Sequence, residues 1–281
     1  MKLARFGAAG SEKPGILDGD GVVRDLSAHI NDLDGAAITH EGLAKIRAID
    51  VSTLPKAPDG VRIGAPVANS RSFIAVGLNY ADHAAETGAK PPKEPILFNK
   101  LGNCIVGPTD NVIMPRGATK LDWEVEIAFV IGKTLRYVEE KDAMDYVAGF
   151  AVCNDVSERV FQSERSGSWM KGKSFETSGP LGPWLVTPDE IDDIQNLDMW
   201  LDVNGERRQT GNTRTMIFSI AHLVHYISQF MVLEPGDVVT TGTPPGVGLG
   251  MKPPSFLKVG DVMTLGIAAL GEQRLEVVEA R

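Results

Sequence analysis

The residues with the clearest chemical potential run from Leu121 to Ile131, Leu-Asp-Trp-Glu-Val-Glu-Ile-Ala-Phe-Val-Ile. The stretch alternates acidic and apolar side chains and then turns wholly apolar. Alternation with period two predicts a strand, with Asp122, Glu124 and Glu126 on one face and Trp123, Val125 and Ile127 on the other. Neighbouring carboxylates repel, and burying them is costly without a compensating charge. A solvated polar face would explain such a strand in an antiparallel sheet, but three acids leading into a buried run point to a divalent cation. Oxygen-only ligands suit Mg²⁺, Mn²⁺ or Ca²⁺ better than zinc. A second apolar strand, Gly149–Cys153, runs through Asn154 to Asp155. An acid at a strand end could complete the cation's shell, or could simply cap a helix.

His83 and Glu86 are three apart in Ala81–Gly88, which reads as a short helix stopped by glycine. A carboxylate beside an imidazole orients it and raises its basicity, as a general base requires. On its own, such a pair more often decorates a solvated helix. Arg159 and Gln162 are likewise three apart in a stretch of helical character, 156–165. Lys171 and Lys173 lie in a Gly- and Ser-rich loop that is either mobile or wrapped over a site. The run Gly242-Thr243-Pro244-Pro245-Gly246-Val247-Gly248 lacks the Gly-Lys-Ser/Thr ending of a phosphate loop. His222 and His225 have no nearby acids in sequence and read as packing or surface residues.

These side chains need a β-rich frame. Thirty glycines and seventeen prolines imply many turns. Apolar strands are expected at 2–6, 72–77, 96–98, 104–106, 149–155, 184–186 and 197–203. Hairpins are expected around Asp18-Gly19 and Asn204-Gly205, and a final one through Gly271. Helices are expected at 41–49, 141–148 and, most clearly, 216–231, where Ile220, Leu223, Val224, Ile227 and Met231 follow the 3.6 period. Pro55, Pro58 and Pro66 mark a link between a small N-terminal domain, 1–69, and a catalytic domain, 70–281; the alternative is a segment running over one domain's surface. A net charge of −9 without a basic run argues against nucleic acid and anionic membranes as partners. No apolar run approaches a membrane span, and the opening Met1–Phe6 soon meets glycine and charge, unlike a signal peptide. Two cysteines, Cys104 and Cys153, suit a reducing compartment, and a cytoplasmic location is expected.

Five segments in order resemble the fumarylacetoacetate hydrolase family: Gly77-Leu78-Asn79-Tyr80-Ala81-Asp82-His83, Asp122-Trp123-Glu124-Val125-Glu126, Asn154-Asp155-Val156-Ser157-Glu158-Arg159, Lys171-Gly172-Lys173-Ser174 and Thr241-Gly242-Thr243-Pro244-Pro245-Gly246-Val247-Gly248. The resemblance spans about 73–270. Phe175-Glu176-Thr177-Ser178 departs slightly from the pattern and touches no expected ligand. It implies a mixed α/β, predominantly β fold with a mixed β-roll core, a homodimer, and Mg²⁺ or Mn²⁺, with Ca²⁺ as a substitute in a crystal. By motif position Glu124, Glu126 and Asp155 would hold the metal, and Asp122 would not. His83 and Glu86 would activate water. Lys173 would stabilise enolate charge, and Arg159, Gln162 and Thr243 would surround the keto-acid end of a 2-keto acid substrate.

The implied reaction is hydrolysis of the carbon–carbon bond of a 2,4-diketo acid, an acylpyruvate, to pyruvate and a carboxylic acid. A 2,4-diketo-3-deoxy sugar acid is the expected substrate. Fumarylpyruvate hydrolysis, oxaloacetate decarboxylation and hydration or isomerisation of an enol acid use the same enolate-stabilising groups. A non-catalytic metal- or ligand-binding module is the alternative outside enzymology; it would not require His83, Glu86, Arg159 and Lys173 together. Because 81–93 carries mainly small or polar residues, including Ala84, Ala85 and Ala89, it is expected to be held weakly and to close over bound ligand.

Overall fold

A computed structural model describes residues 1–88 and 90–280. Ala89, counted in the segment expected to close over the site, and Arg281, the last residue of the expected catalytic unit, lie outside the described residues. The chain is a mixed α/β structure made mostly of strands.

The larger sheet runs in the order Val23–Asp25, Lys13–Leu17, Lys2–Phe6, Leu185–Val186, Val147–Asn154, Val125–Ile131, Val238–Thr240, Phe73–Gly77 and Ile96–Lys100, with Ile63–Gly64 also beside Lys2–Phe6. A second sheet runs Glu206–Asn212, Asp198–Val203, Val262–Ile267, Gly271–Glu279 and Val112–Met114. The strand Val125–Ile131 lies inside the larger sheet, antiparallel to both neighbours. Its alternate residues serve two cores. Val125, Ile127, Phe129 and Ile131 pack with Leu201, Met263, Leu265 and Leu275 of the second sheet. Ala128 and Val130 pack with Leu3, Ile16, Leu26 and Ile46. Burial of each large apolar side chain contributes about 1.5–3 kcal/mol, so this strand anchors both layers. The stretches 1–69 and 70–280 thus share one sheet and one of its cores, and Lys2–Phe6 pairs directly with Leu185–Val186.

The hairpins at 18–21, 204–205 and 268–270 form as expected, with Asn204 and Gly205 both at positive φ. Other expectations are corrected. The alternative of a wet acidic face does not hold, since every residue from Leu121 to Ile131 is buried, as a cation site in the core requires. The expected single strand is also broken into Leu121–Asp122 and Val125–Ile131. The break occurs because side chains take the backbone donors: Trp123 N–H bonds Asp122 Oδ1 (2.9 Å), Glu124 N–H bonds Asn154 Oδ1 (3.0 Å) and Val125 N–H bonds Gln209 Oε1 (2.9 Å). Residues 141–148 do not form one helix. A 3₁₀ stretch, Glu140–Tyr146, gives way to the strand at Val147, because Val147 and Ala148 complete the sheet and its core. The helix expected at 216–231 is Ile220–Ser228, capped by Ser219. Its expected first turn is diverted: Ile217 N–H bonds the Asn79 carbonyl at 2.7 Å and Phe218 N–H bonds Asn79 Oδ1 at 2.8 Å. In 156–165, Ser157–Glu158 pairs with Leu121–Asp122 as a strand, and a wide π-type turn follows at Val160–Glu164.

Candidate active site

Three strand ends meet at one place. Glu126 opens the central strand, Glu124 stands in the break before it, and Asp155 follows the neighbouring strand Val147–Asn154. Asp155 N–H bonds the Glu124 carbonyl at 2.9 Å, which locks the two strand ends in register. One carboxylate oxygen from each of Glu124, Glu126 and Asp155 lies within 4.8 Å of the others, and all three residues are buried. Among the described residues this is the one such cluster of potential metal ligands.

Buried cations surround the cluster. Lys173 Nζ lies 2.6 Å from Glu124 Oε2 and 2.6 Å from Asp155 Oδ2. Arg159 Nη2 lies 2.7 Å from Glu124 Oε1 and 2.7 Å from Asp122 Oδ2. Burial alone would raise the Glu124 carboxyl, but the charges of Lys173 and Arg159 outweigh it and hold the group at about 2. Glu126 goes the other way. Burial first, then the charges of Asp155 and Glu124, push it well above the usual carboxylate range, and its hydrogen bond is the Gly242 N–H at 3.0 Å. Gly242 itself sits at φ +92°, where a side chain would be strained. An all-carboxylate donor set with one member lacking a basic partner fits a hard divalent cation; Glu124, Glu126 and Asp155 would hold it.

Asp122 is separate from this set. It accepts from Arg159 Nε (2.8 Å) and from the N–H groups of Gly248 (2.7 Å) and Leu249 (3.0 Å). It therefore positions Arg159 and the 248–249 turn. Arg159 Nη1 donates to Gln162 Oε1 at 3.1 Å, so those two residues meet as their spacing suggests. Thr243 reaches the cavity wall, but its hydroxyl proton goes to the Val125 carbonyl (2.9 Å) while its oxygen accepts from Gln209 Nε2 (2.8 Å). Its hydroxyl thus holds the loop to the strand and has no proton left for a carboxylate.

His83 is brought to the same cavity, with Glu86 behind it. The helix Ala81–Thr87 follows Leu78, held at φ +51°, and ends at Gly88 at φ +68°. A non-glycine residue in that region costs about 1–3 kcal/mol. Asn79 offsets it by donating to the carbonyls of Thr241 (2.9 Å) and Phe218 (3.1 Å). His83 Nδ1 lies 3.1 Å from Glu86 Oε2, and Glu86 Oε1 accepts the Gly246 N–H at 2.9 Å. A carboxylate acceptor at Nδ1 assigns the proton there and leaves Nε2 as the basic nitrogen. His222 and His225 lie elsewhere, bonded to Glu140 and to the Val138 carbonyl.

Two residues that the sequence did not single out complete the site. Lys100 has a fully buried side chain; its ammonium lies 2.6 Å from Asp155 Oδ1 and also donates to the carbonyls of Lys173 and Ser178. Burial alone would lower its pKa, but the Asp155 charge raises it above the usual value. Its local sequence gives no clear signal: it stands after Asn99, two residues past the apolar run Ile96-Leu97-Phe98. Gln209 bridges the central strand to Thr243 and to the Pro244 carbonyl (2.9 Å); nothing in its surroundings in sequence marks it.

The cavity encloses about 310 Å³ and is lined by the triad, His83, Arg159, Gln162, Lys173 and Thr243. Residues 72–278 match the family described as fumarylacetoacetate (FAA) hydrolase, C-terminal. The chain is 57% identical to a protein of Burkholderia lata named "Putative hydrolase", covering 100% of both. Among solved structures, the fumarylacetoacetate hydrolase of Exiguobacterium antarcticum superposes with a TM-score of 0.87 at 34% identity, and both chains are covered completely. The maleylpyruvate hydrolase of Sphingobium sp. SYK-6, in complex with manganese(II) and pyruvate, superposes with a TM-score of 0.83 at 31% identity, again over 100% of both chains. A β-rich fold carrying a buried acidic triad thus places the chain in a class of known enzymes. It belongs to the fumarylacetoacetate hydrolase family.

Proposed function

We propose that this protein hydrolyses the carbon–carbon bond of an acylpyruvate to pyruvate and a carboxylic acid, with Mg²⁺ or Mn²⁺ held by Glu124, Glu126 and Asp155. The observation that carries the reading is the convergence of His83, its partner Glu86, Lys173 and Arg159 on the cavity that contains the triad. The manganese and pyruvate of the Sphingobium hydrolase support a pyruvyl head group here.

When bound, the cation would supply Lewis-acid polarisation of the keto oxygen. The chain's own groups do the rest. Arg159 and Gln162 orient the head-group carboxylate. Lys173 faces the position where negative charge develops on the C2 oxygen. His83 Nε2 takes a proton from water, whose oxygen bonds to C4. The C3–C4 bond breaks, its electron pair passes into the pyruvate enolate, and C3 regains a proton. Glu86 stabilises the imidazolium formed in between, and such a base contributes about 10²–10⁴-fold. Decarboxylation of oxaloacetate is the second reading, because it needs the enolate-stabilising groups without activated water; the His83–Glu86 pair favours hydrolysis.

Pyruvate release from a panel of acylpyruvates, with and without EDTA, tests this. Release that EDTA abolishes and Mg²⁺ or Mn²⁺ restores is expected; no release from any member, or release indifferent to EDTA, overturns it. A homodimer is part of the proposal on the strength of the family resemblance, and light scattering of the purified chain decides it. The sugar-acid tail is a separate question, because the head-group residues do not select it.

A further inference from the structure

The cavity wall is of two kinds: the polar head-group residues, and apolar side chains interleaved with them. The apolar set is Val76, Leu78, Phe98, Trp169, Val247 and Leu249. Phe98 and Trp169 pack edge to face, with ring centroids 5.2 Å apart. Leu249 remains 46% exposed, although it lies beside a buried metal-type site. Apart from Ser163, every polar side chain lining the cavity among the described residues belongs to the head-group set. Ser163 already donates its hydroxyl proton to the Arg159 carbonyl at 2.8 Å. The basic side chains on the wall are His83, Arg159 and Lys173, and the two cations are committed to Asp122, Glu124 and Asp155.

We infer that the acyl tail of the substrate is apolar, a short alkyl or aryl group, rather than a polyhydroxylated chain or a second carboxylate. This rests on the acylpyruvate reading for the head group and adds the class of tail. A polyol packed against the apolar set would exchange water for hydrocarbon at each hydroxyl without replacement partners. A distal carboxylate there would meet aromatic faces, and the cation beside them, Lys173 at 5.3 Å from the Phe98 ring centroid, is already paired with Glu124 and Asp155. An apolar tail buries its surface against the Phe98–Trp169 pair and covers Leu249. A volume of about 310 Å³ is at the small end of the roughly 300–1,000 Å³ usual for such sites, so the part of the tail that these walls contact is short. The sugar-acid expectation is accordingly not carried forward.

Trp169 is held in place by a glycine. A Cβ at Gly77 would stand 2.7 Å from Cζ3 and 3.1 Å from Cη2 of the indole, so Gly77 leaves room for that edge of the ring. Trp169 and Phe98 are thus the residues that select the tail, and Gly77 positions Trp169.

Calorimetric titration of the Mg²⁺-supplemented enzyme with three six-carbon 2-keto acids isolates the tail. The probes are 2-oxohexanoate, 2-oxoadipate and 2-keto-3-deoxygluconate, with pyruvate as the tail-free reference. 2-Oxohexanoate is expected to bind at least about tenfold more tightly than the other two. Trp169→Ala should weaken 2-oxohexanoate more than it weakens pyruvate, and Gly77→Ala, which displaces the indole without removing it, should do the same. Equal affinity for the three, or tighter binding of 2-oxoadipate or the sugar acid, overturns the inference. Failure of the head-group reading shows itself differently: no acylpyruvate would release pyruvate, while the ranking of the three ligands would still decide the tail.

Discussion

The acidic centre and the helix that carries His83 face each other across one cavity but are built differently. The acidic centre hangs on adjoining strands inside the larger sheet, and Lys100, Lys173 and Arg159 surround it with their side chains almost wholly buried. The helix Ala81–Thr87 is short, and its N-cap Tyr80 makes no side-chain capping bond. Its side-chain ties to the rest of the protein include the Glu86 bond to Gly246 and a 3.3 Å bond between Thr215 and Asp82. A buried charge cluster inside a sheet has little freedom, because moving one member strands the charge of another. A short helix tied by part-buried hydrogen bonds moves at smaller cost than such a cluster. The comparison suggests a division of labour: rigid support for the head group, and adjustable delivery of the base.

The largest effect should come from the base itself. His83→Ala is expected to lower acylpyruvate hydrolysis by about 10²–10⁴-fold and to spare oxaloacetate decarboxylation by comparison, as steady-state rates on both substrates will show. Equal losses would mean that His83 is part of the rigid half after all. Next is the counter-charge: Lys100→Met leaves a buried Asp155 oxygen unpaired and should cost about 3–5 kcal/mol in chemical denaturation. Added Mg²⁺ should recover part of that loss, because a cation at the triad restores positive charge beside Asp155; a loss that ignores Mg²⁺ would separate Lys100 from the metal site. Glu124→Gln and Glu126→Gln should each weaken Mg²⁺ binding by about 100-fold or more, since even supporting residues are worth about 10–100-fold. Calorimetry showing unchanged affinity in both variants would remove the metal from the acidic centre. The smallest signal concerns mobility. Hydrogen exchange in 81–88 should be fast without ligand and slower with oxalate and Mg²⁺, while 125–131 stays protected throughout. Strong protection of 81–88 in the ligand-free enzyme would abolish the contrast between the two halves.

The residues legible in advance were those whose chemistry is visible over a few positions. Glu124 and Glu126 announce themselves by alternation, Asp155 by ending an apolar strand, and His83 and Glu86 by helical spacing; the structure brings them to one cavity, with Glu86 behind His83. Gln209 and Lys100 were not legible, because what distinguishes them is a partner far away in sequence. Gln209 bonds Val125 and Thr243; Lys100 bonds Asp155 and the Lys173 carbonyl. The helix overextended to 216–231 failed for a related reason, since the backbone at 217 and 218 is claimed by Asn79 from another part of the chain.

The sequence by itself therefore determined the strand-rich frame, the hairpins at Asp18-Gly19 and Asn204-Gly205, and the spacing of Glu124 with Glu126 and of His83 with Glu86. These depend on side-chain periodicity and turn chemistry, which act over a few residues. Only the tertiary structure decided that the acidic strand breaks at Trp123-Glu124, that Lys100 balances Asp155, that Thr243 spends its hydroxyl on the loop, and that Phe98 and Trp169 pair in the cavity wall. Each of these is a matter of satisfying a buried polar group or filling a space. The partner comes from whichever distant segment the fold brings within hydrogen-bonding or van der Waals reach, and local sequence carries no record of that choice.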